Sequence, residues 1–377
     1  MKQAQNKHDL AHGRPVVLVS HGFQHNYERG FTNGLADNDV AVTLVSSDRT
    51  DYAGLRTGVR TVNLRGSQEE DRPGWAKALN MLRYHLGLCA YALWHRQAIL
   101  HVIGLIDPPL IKGVLEGLWF RLVSKRYVLT VHDLLPHDRH TRLNKLLYGL
   151  SFRFPHCLVV HTERMRDELA RRFGVPPERV VVMEHGIEPL ANSRFGVVES
   201  NADRPLRLLC FGMVTHYKGV DVLLDALDTI SFDFTLMIAG FCQHASLAHE
   251  LQARISAHPA ARFITWRNEF IPEAEVEGLF TGADVLVLPY RHIDQSGVLF
   301  QALRFGVPVV ASEVGSLAHY VTEAVGETCP PENVQELREA LERVHARRFE
   351  FSRQRISDIG RGFEWHRTVQ PLSKAYE

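Results

Sequence analysis

No stretch of the 377 residues approaches the ~18 uninterrupted apolar residues of a membrane-spanning helix. The N-terminal MKQAQNKHDLAHGRP is polar and lacks the apolar core of a secretory signal. Both absences lead to the expectation of a cytoplasmic protein. Cysteine is scarce. Cys89, Cys157, Cys210, Cys242 and Cys329 are odd in number, far apart and mostly inside apolar runs. That pattern argues against a disulfide framework or a zinc knuckle and for reduced, buried thiols. Net charge is formally +0, yet it is unevenly spread. Residues 1–190 hold 25 Lys/Arg against 19 Asp/Glu, and the remainder holds 18 against 24. A mildly basic first half suits an acidic membrane or a charged acceptor, and it is equally what ordinary surface scatter produces. Nothing resembles a nucleic-acid-binding stripe. No GxGxxG fingerprint, internal repeat or low-complexity segment stands out.

What is present is an ordinary soluble composition, 45% hydrophobic and 23% charged, with length for roughly two domains. Short apolar β-branched runs alternate with helical patterns. In the first half these strand candidates are Val16–Ser20, Val40–Val45, Ile99–Ile103, Tyr127–Val131, Cys157–Val160 and Val180–Met183. Continuously apolar strands bounded by polar turns fit a parallel sheet covered on both faces. The clearest helix is Thr162–Phe173, with a threonine cap, late arginines and then Gly174. The polar segment EPLANSRFGVVESNADRP (188–205) reads as a linker. The alternation then restarts with Leu206–Phe211, Phe234–Ala239, Arg262–Thr265, Val285–Leu288 and Val309–Ala311. Two βαβα blocks predict two doubly wound α/β domains, at 1–187 and 206–349. The tail, 350–377, reads as a helix that either caps the second domain or crosses back to the first. Ligands of such sheets sit beyond the carboxyl ends of the strands, and two facing domains would put those ends across one cleft.

Residues just past the strands are therefore the site candidates. After the first strand comes His21-Gly22-Phe23-Gln24-His25-Asn26-Tyr27, a glycine-containing loop into a helix. After Tyr127–Val131 come His132 and Asp133, which suit hydroxyl binding or proton transfer, or simply end the strand. His137 and His140 follow, but no further ligand has zinc spacing, so no metal is expected. After Leu206–Phe211 comes Gly212-Met213-Val214-Thr215-His216-Tyr217-Lys218-Gly219. Lys218 beside a helix start is a natural partner for a diphosphate, or an ordinary surface lysine. Asp294-Gln295-Ser296-Gly297 opens another helix between two apolar strands. Ser296 is the expected cap, and Gly297 lets an anion approach the helix N–H groups. The loop at Phe270-Ile271 can hold a base edge or merely start a helix. Asp37-Asn38-Asp39 precedes a strand and reads as a turn.

The stretch LLCFGMVTHYKGVDVLLDAL, followed by ADVLVLPYRHIDQSGVLFQALRFGVPVVASEVGSL, resembles the second domain of glycosyltransferase family 4, the retaining GT-B transferases. TVHDLLPH and VVHTERMRDELARRFGVPPERVVVMEHGIE are similar to its first domain, more loosely. The resemblance implies two Rossmann-like domains, a nucleotide-sugar donor held mainly by the second, and metal-independent chemistry. Carried across, Lys218 would hold the diphosphate, with Gly212 and Gly219 in its loop and Ser296, Gly297 and Val298 offering N–H groups. Phe270 and Ile271 would contact the base. Gln301 stands where the family often has a ribose-binding glutamate. His132 would sit near the donor sugar, Gly22 against the diphosphate, and His25, Tyr27 and Asp133 on the acceptor side. Two features depart from the family. Met213 stands where an arginine usually pairs with the lysine, and the two glutamates are missing, leaving Asp294 or Gln295 to contact the sugar. The resemblance thus implies a retaining transferase using a UDP- or GDP-sugar and a glycan or lipid-linked acceptor, in bacterial envelope or exopolysaccharide synthesis. A non-catalytic nucleotide-binding or partner subunit is the alternative; an epimerase or phosphorylase fits less well. Leu143–Phe154 mixes apolar and basic residues and reads first as a core helix, second as a peripheral membrane contact.

Overall fold

Short β-branched runs build two separate parallel sheets, each in its own compact unit. The computed structural model describes residues 13–21, 25–69, 71–104, 111–134, 141–190 and 204–377. One unit takes in the chain up to Gly186 together with Phe363–Glu377, and the other spans Ile187–Gly362. Most of the expected linker, 191–203, lies outside the described residues.

In the first unit the strands are β1 (Val16–Val19), β2 (Val42–Ser46), β3 (Arg60–Asn63), β4 (Ile99–Val102), β5 (Arg126–Val131), β6 (Cys157–Val160) and β7 (Val180–Val182). They lie in the order β3-β2-β1-β4-β5-β6-β7, every neighbouring pair parallel. The helices are α1 (His25–Ala36), α2 (Gly74–Trp94), α3 (Ile111–Val123), α4 (Arg142–Arg153) and α5 (Glu163–Phe173). Strands β1, β4 and β6 are buried along their whole length because apolar clusters cover both faces of the sheet. Helix α5 starts and stops as its sequence predicts. Thr162 accepts from Met165 N at 3.1 Å, and Gly174 ends it in the left-handed region at φ 63°. Asp37-Asn38-Asp39 is a turn between α1 and β2.

The second unit holds β8 (Leu206–Phe211), β9 (Phe234–Ala239), β10 (Ile264–Arg267), β11 (Val285–Leu288), β12 (Val309–Ser312) and β13 (Gly326–Cys329), in the parallel order β10-β9-β8-β11-β12-β13. Its helices are α6 (Val220–Leu227), α7 (Ala245–Ala257), α8 (Glu273–Gly282), α9 (Gly297–Phe305), α10 (Leu317–Tyr320), α11 (Val334–Ala346) and α12 (Arg353–Gly360). The tail returns to the first unit as α13 (Trp365–Thr368) and α14 (Leu372–Tyr376). Trp365 fits there because glycines leave it room. A Cβ on Gly30 would fall 2.0 Å from its Nε1, and one on Gly186 would fall 2.1 Å from its Cδ2.

The apolar-run reading misses β3 and β13. Both are edge strands, where one face or flank is open to water and polar residues are tolerated. β3 is RTVN and largely exposed, and β13 is GETC. β10 also begins later than expected, because Ala261–Phe263 turns as a 3₁₀ helix before the strand starts.

Candidate functional site

In the second unit the candidate residues collect where β8, β9 and β11 end. Gly212 follows β8 at φ 101°, and its N–H donates to Ala239 O at 3.0 Å. Gly240 follows β9; a Cβ there would sit 2.0 Å from Gly212 O. Only glycine allows that approach. The β8–α6 loop then turns through His216–Lys218 to Gly219, at φ 65°. A Cβ on Gly219 would lie 1.9 Å from Pro289 O, so the loop presses directly on the end of β11. Arg291 locks the two together. Its N–H donates to Tyr217 O at 2.8 Å, and its guanidinium grips Asp221 at 2.9 and 2.7 Å, Glu332 at 3.0 Å and His216 O at 2.7 Å.

This frame fixes Lys218. The side chain is only 7% exposed. Its Nζ donates to Tyr290 Oη at 2.6 Å and lies 4.1 Å from the centre of that ring. Burial lowers the Lys218 pKa, partly offset by Tyr217 and Cys210. Burial likewise raises the Tyr290 phenol. A buried ammonium on a neutral hydroxyl is incompletely compensated, and an anion beside it would complete it.

The start of α9 lies alongside. Ser296 occupies the cap position at φ −125° and ψ 112°. It does not cap, contrary to the sequence expectation. Its side chain accepts no helix N–H; it is 3% exposed and turned toward the Tyr290 phenol, with which it shares a side-chain hydrogen bond. Both amide atoms of Gln295 are buried and unpartnered. The first-turn N–H groups of Gly297 and Val298 have no acceptor within the helix. A Cβ on Gly212 would meet Val298 Cγ2 at 3.4 Å and Lys218 Nζ at 3.8 Å. The glycine backbone, the buried ammonium and the uncapped helix start therefore converge. Together they can hold a compact anion. Asp294 is set by its neighbours, its carbonyl accepting from Ser316 N and Oγ at 3.1 Å each. Gln301 is half-buried one turn into α9, with Oε1 3.5 Å from Arg304 Nη1.

Beyond β9 and β10 the loops present an aromatic surface. Phe270 is 77% exposed and stacks on Phe241, with centroids 5.0 Å apart. Cys242 N donates to Asn268 Oδ1 at 2.8 Å and joins the two loops. Ile271 is half-buried beside them. Met213 is 51% exposed and brings no charge, and Arg291 does not replace the missing arginine because its fork is fully engaged.

In the first unit, Gly22 lies outside the described residues, as do His137 and His140. His132 ends β5 and donates from Nε2 to Ile103 O at 2.7 Å. His161 ends β6 and donates from Nδ1 to Met183 O at 2.9 Å. Their other nitrogens face each other at 3.2 Å. With both rings neutral, both would be acceptors, so this contact becomes a hydrogen bond only when the pair gains a proton. Burial lowers the pKa of both rings, and His132 and His185 further disfavour a charge on His161. Tyr27 does not face outward as an acceptor-side residue would. It is 5% exposed and packs edge-on to His132 at 4.6 Å and Trp365 at 4.9 Å. Its place is under His132, because α1 turns that face onto the sheet and the tail closes over it. His25 is half-buried, with an unpartnered Nδ1, and Asp133 is exposed.

Strand-end reasoning overlooked Tyr290, Arg291 and His161. The signals were available: Tyr290 and Arg291 lie just past β11, after Pro289, and His161 repeats at β6 what His132 does at β5.

Two doubly wound parallel sheets, one ending in an anion-ready helix start, define a GT-B type α/β protein. A glycosyltransferase family 4 sequence model matches residues 24–189, and a glycosyl transferases group 1 model matches residues 205–347. The chain belongs to family 4 of the GT-B glycosyltransferases. A GDP-mannose:glycolipid 4-beta-D-mannosyltransferase of Xanthomonas campestris pv. campestris is 30% identical over 203 residues, 51% of each chain. The amylovoran biosynthesis glycosyltransferase AmsK of Erwinia amylovora is 26% identical over 56% of this chain and 49% of its own. The chain spans about half the length of the curated relatives it matches. Among solved structures, Anabaena Alr3699/HepE in complex with UDP-glucose shares the fold at a TM-score of 0.70 and 15% identity, covering 95% of this chain and 98% of its own. The sucrose-phosphate synthase of Thermosynechococcus elongatus does so at 0.69 and 18%, covering 96% and 94%.

Proposed function

We propose that this protein is a retaining, metal-independent glycosyltransferase. It moves a sugar from a UDP- or GDP-sugar to a glycan or lipid-linked acceptor, in bacterial envelope or exopolysaccharide synthesis. One observation carries the reading: an uncapped helix start with the buried, unpartnered amide of Gln295, set beside buried Lys218 and the bare backbone of Gly212. The donor class is supported by the GDP-mannose of the Xanthomonas relative and the UDP-glucose of the Anabaena structure.

In this reading the departing diphosphate sits on the first turn of α9. Its growing negative charge is met by Lys218 and by the N–H groups of Gly297 and Val298, which are already oriented. The Ser296 hydroxyl and Gln295 amide donate to the phosphates or the sugar, with Asp294 beside them. The base lies on Phe270 against Ile271, and Gln301 takes the ribose. His132 steadies the donor sugar, and His25 and Asp133 lie toward the acceptor. The leaving diphosphate itself assists removal of the acceptor proton from the same face.

A second reading, a non-catalytic nucleotide-binding subunit, is favoured by Met213 in the arginine position and by the full engagement of Arg291. Calorimetry with UDP, GDP, ADP and dTDP on the native protein and Lys218→Ala separates these possibilities. One nucleotide binding tightly, lost in the variant, supports the diphosphate site and identifies the donor class. Binding to none would overturn the site. Slow release of free sugar from the matching donor distinguishes the transferase from the subunit. Under the transferase reading, Lys218→Ala lowers turnover at least roughly tenfold, since it removes a donor to developing charge.

A further inference from the structure

Helix α2 is apolar on two opposite sides. One side buries Tyr84, Leu88 and Ala92 against the first sheet. The other carries Trp75, Leu79, Leu82, Leu86 and Leu93, which are 72%, 39%, 57%, 63% and 48% exposed. Their spacing places them in one outward stripe. Helix α3 repeats this with Leu115, Leu118 and Leu122, at 59%, 39% and 72% exposed. Helix α4 adds Leu143 and Leu146, at 62% and 59%. The three helices lie side by side, and Trp119 of α3 donates from Nε1 to Cys89 O of α2 at 3.1 Å. The stripes thus belong to one face, larger than the scattered leucines of an ordinary surface.

The charge on these helices has one sign. They hold seven Lys/Arg and a single acid, Glu116. Glu116 is only 11% exposed and is held by His85 at 2.7 Å, so it does not offset the outer charge. Lys77, Arg83, Arg121, Arg142 and Lys145 are exposed among the leucines. Leucine and tryptophan interleaved with lysine and arginine are the composition of a surface that lies in a lipid headgroup layer. Among the described residues no helix is long and apolar enough to cross a membrane.

We propose that the α2–α3–α4 face docks on an anionic lipid surface. The leucine and tryptophan side chains enter the headgroup layer, and the flanking lysines and arginines meet lipid phosphates. The argument rests on the first unit alone and holds whether or not the nucleotide site acts as read above.

Flotation of the full chain with phosphatidylcholine vesicles, with and without phosphatidylglycerol, tests it. The protein floats with the anionic vesicles at low salt, much less with neutral ones, and less again at high salt. Leu82→Ser with Leu86→Ser reduces vesicle-bound protein at least about tenfold, since it removes buried apolar area from the contact. Arg142→Glu with Lys145→Glu, both on exposed positions, lowers binding at low salt and flattens the salt dependence. Melting curves accompany both variants, and the charge pair decides the case if the leucine pair unfolds. Absence of flotation with anionic vesicles at low salt overturns the proposal. So does variant binding equal to native, or a dimer in light scattering that the leucine changes dissolve while vesicles stay unbound, which would assign the face to a second copy.

Discussion

Replacing Lys218 with methionine separates its role in binding from its role in folding. Methionine keeps most of the volume and removes the charge. In the unliganded protein the buried ammonium has one good partner, Tyr290 Oη at 2.6 Å, and burial lowers its pKa. The charge therefore costs stability while no anion is bound. Lys218→Met should leave the melting midpoint of the second unit unchanged or raise it. Nucleotide binding should move the other way. A hydrogen bond to a charged group is worth about 1.5–3 kcal/mol, which is ~10–150-fold in Kd. Binding is read by calorimetry and stability by scanning calorimetry on the same preparations. The pH dependence adds a third reading. Because the pKa of Lys218 is lowered, native affinity should decline with rising pH earlier than an ordinary lysine would cause, and the methionine variant should lose that decline. A variant that melts well below native and binds nucleotide normally would refute the reasoning, since Lys218 would then be a structural residue.

Phe270→Ala should weaken nucleotide binding about 5–150-fold, from ~1–3 kcal/mol of base stacking, without changing the melting midpoint, since the ring is 77% exposed; equal affinity would remove the base from this surface. Trp365→Ala should destabilise the first unit by about 3–5 kcal/mol, or roughly 6–20 °C in midpoint, because it empties the space between Gly30 and Gly186; a shift under ~2 °C would mean that the tail is not part of that core. Acid should weaken the first unit. Burial pushes His101 down to about 3 and His185 down to about 4, below the usual histidine range. The unfolded chain then takes up protons from about pH 6.5 downward while the folded unit does not, so stability falls as pH drops. At pH 5 His101 alone costs about 2 kcal/mol. A first-unit midpoint equal at pH 7 and pH 5 would contradict this, and His101→Gln should flatten the slope.

Much of this was legible along the chain. Parallel strands buried on both faces must be apolar throughout, so β1, β4, β6 and β11 announce themselves as runs. Glycines at strand ends mark close backbone approach or left-handed backbone, and Gly219 and Gly212 mark the loop around Lys218 for those two reasons in turn. The edges β3 and β13 escaped because an edge strand answers to pairing and not to burial. Ser296 shows a different limit. Its residue type predicts a cap, and only its side-chain direction shows the helix start left open. The histidines at the ends of β5 and β6 are 29 residues apart in sequence, yet their rings meet at 3.2 Å because the strands are neighbours in the sheet. The leucines of α2 carry the same message. Periodicity says that two sides of the helix are apolar, but which side the sheet covers is settled by packing. Local pattern, set by which groups tolerate water, determined the two sheets and the loops that bear the site. Direction, pairing and exposure depend on neighbours distant in sequence, and those were decided only when the chain folded.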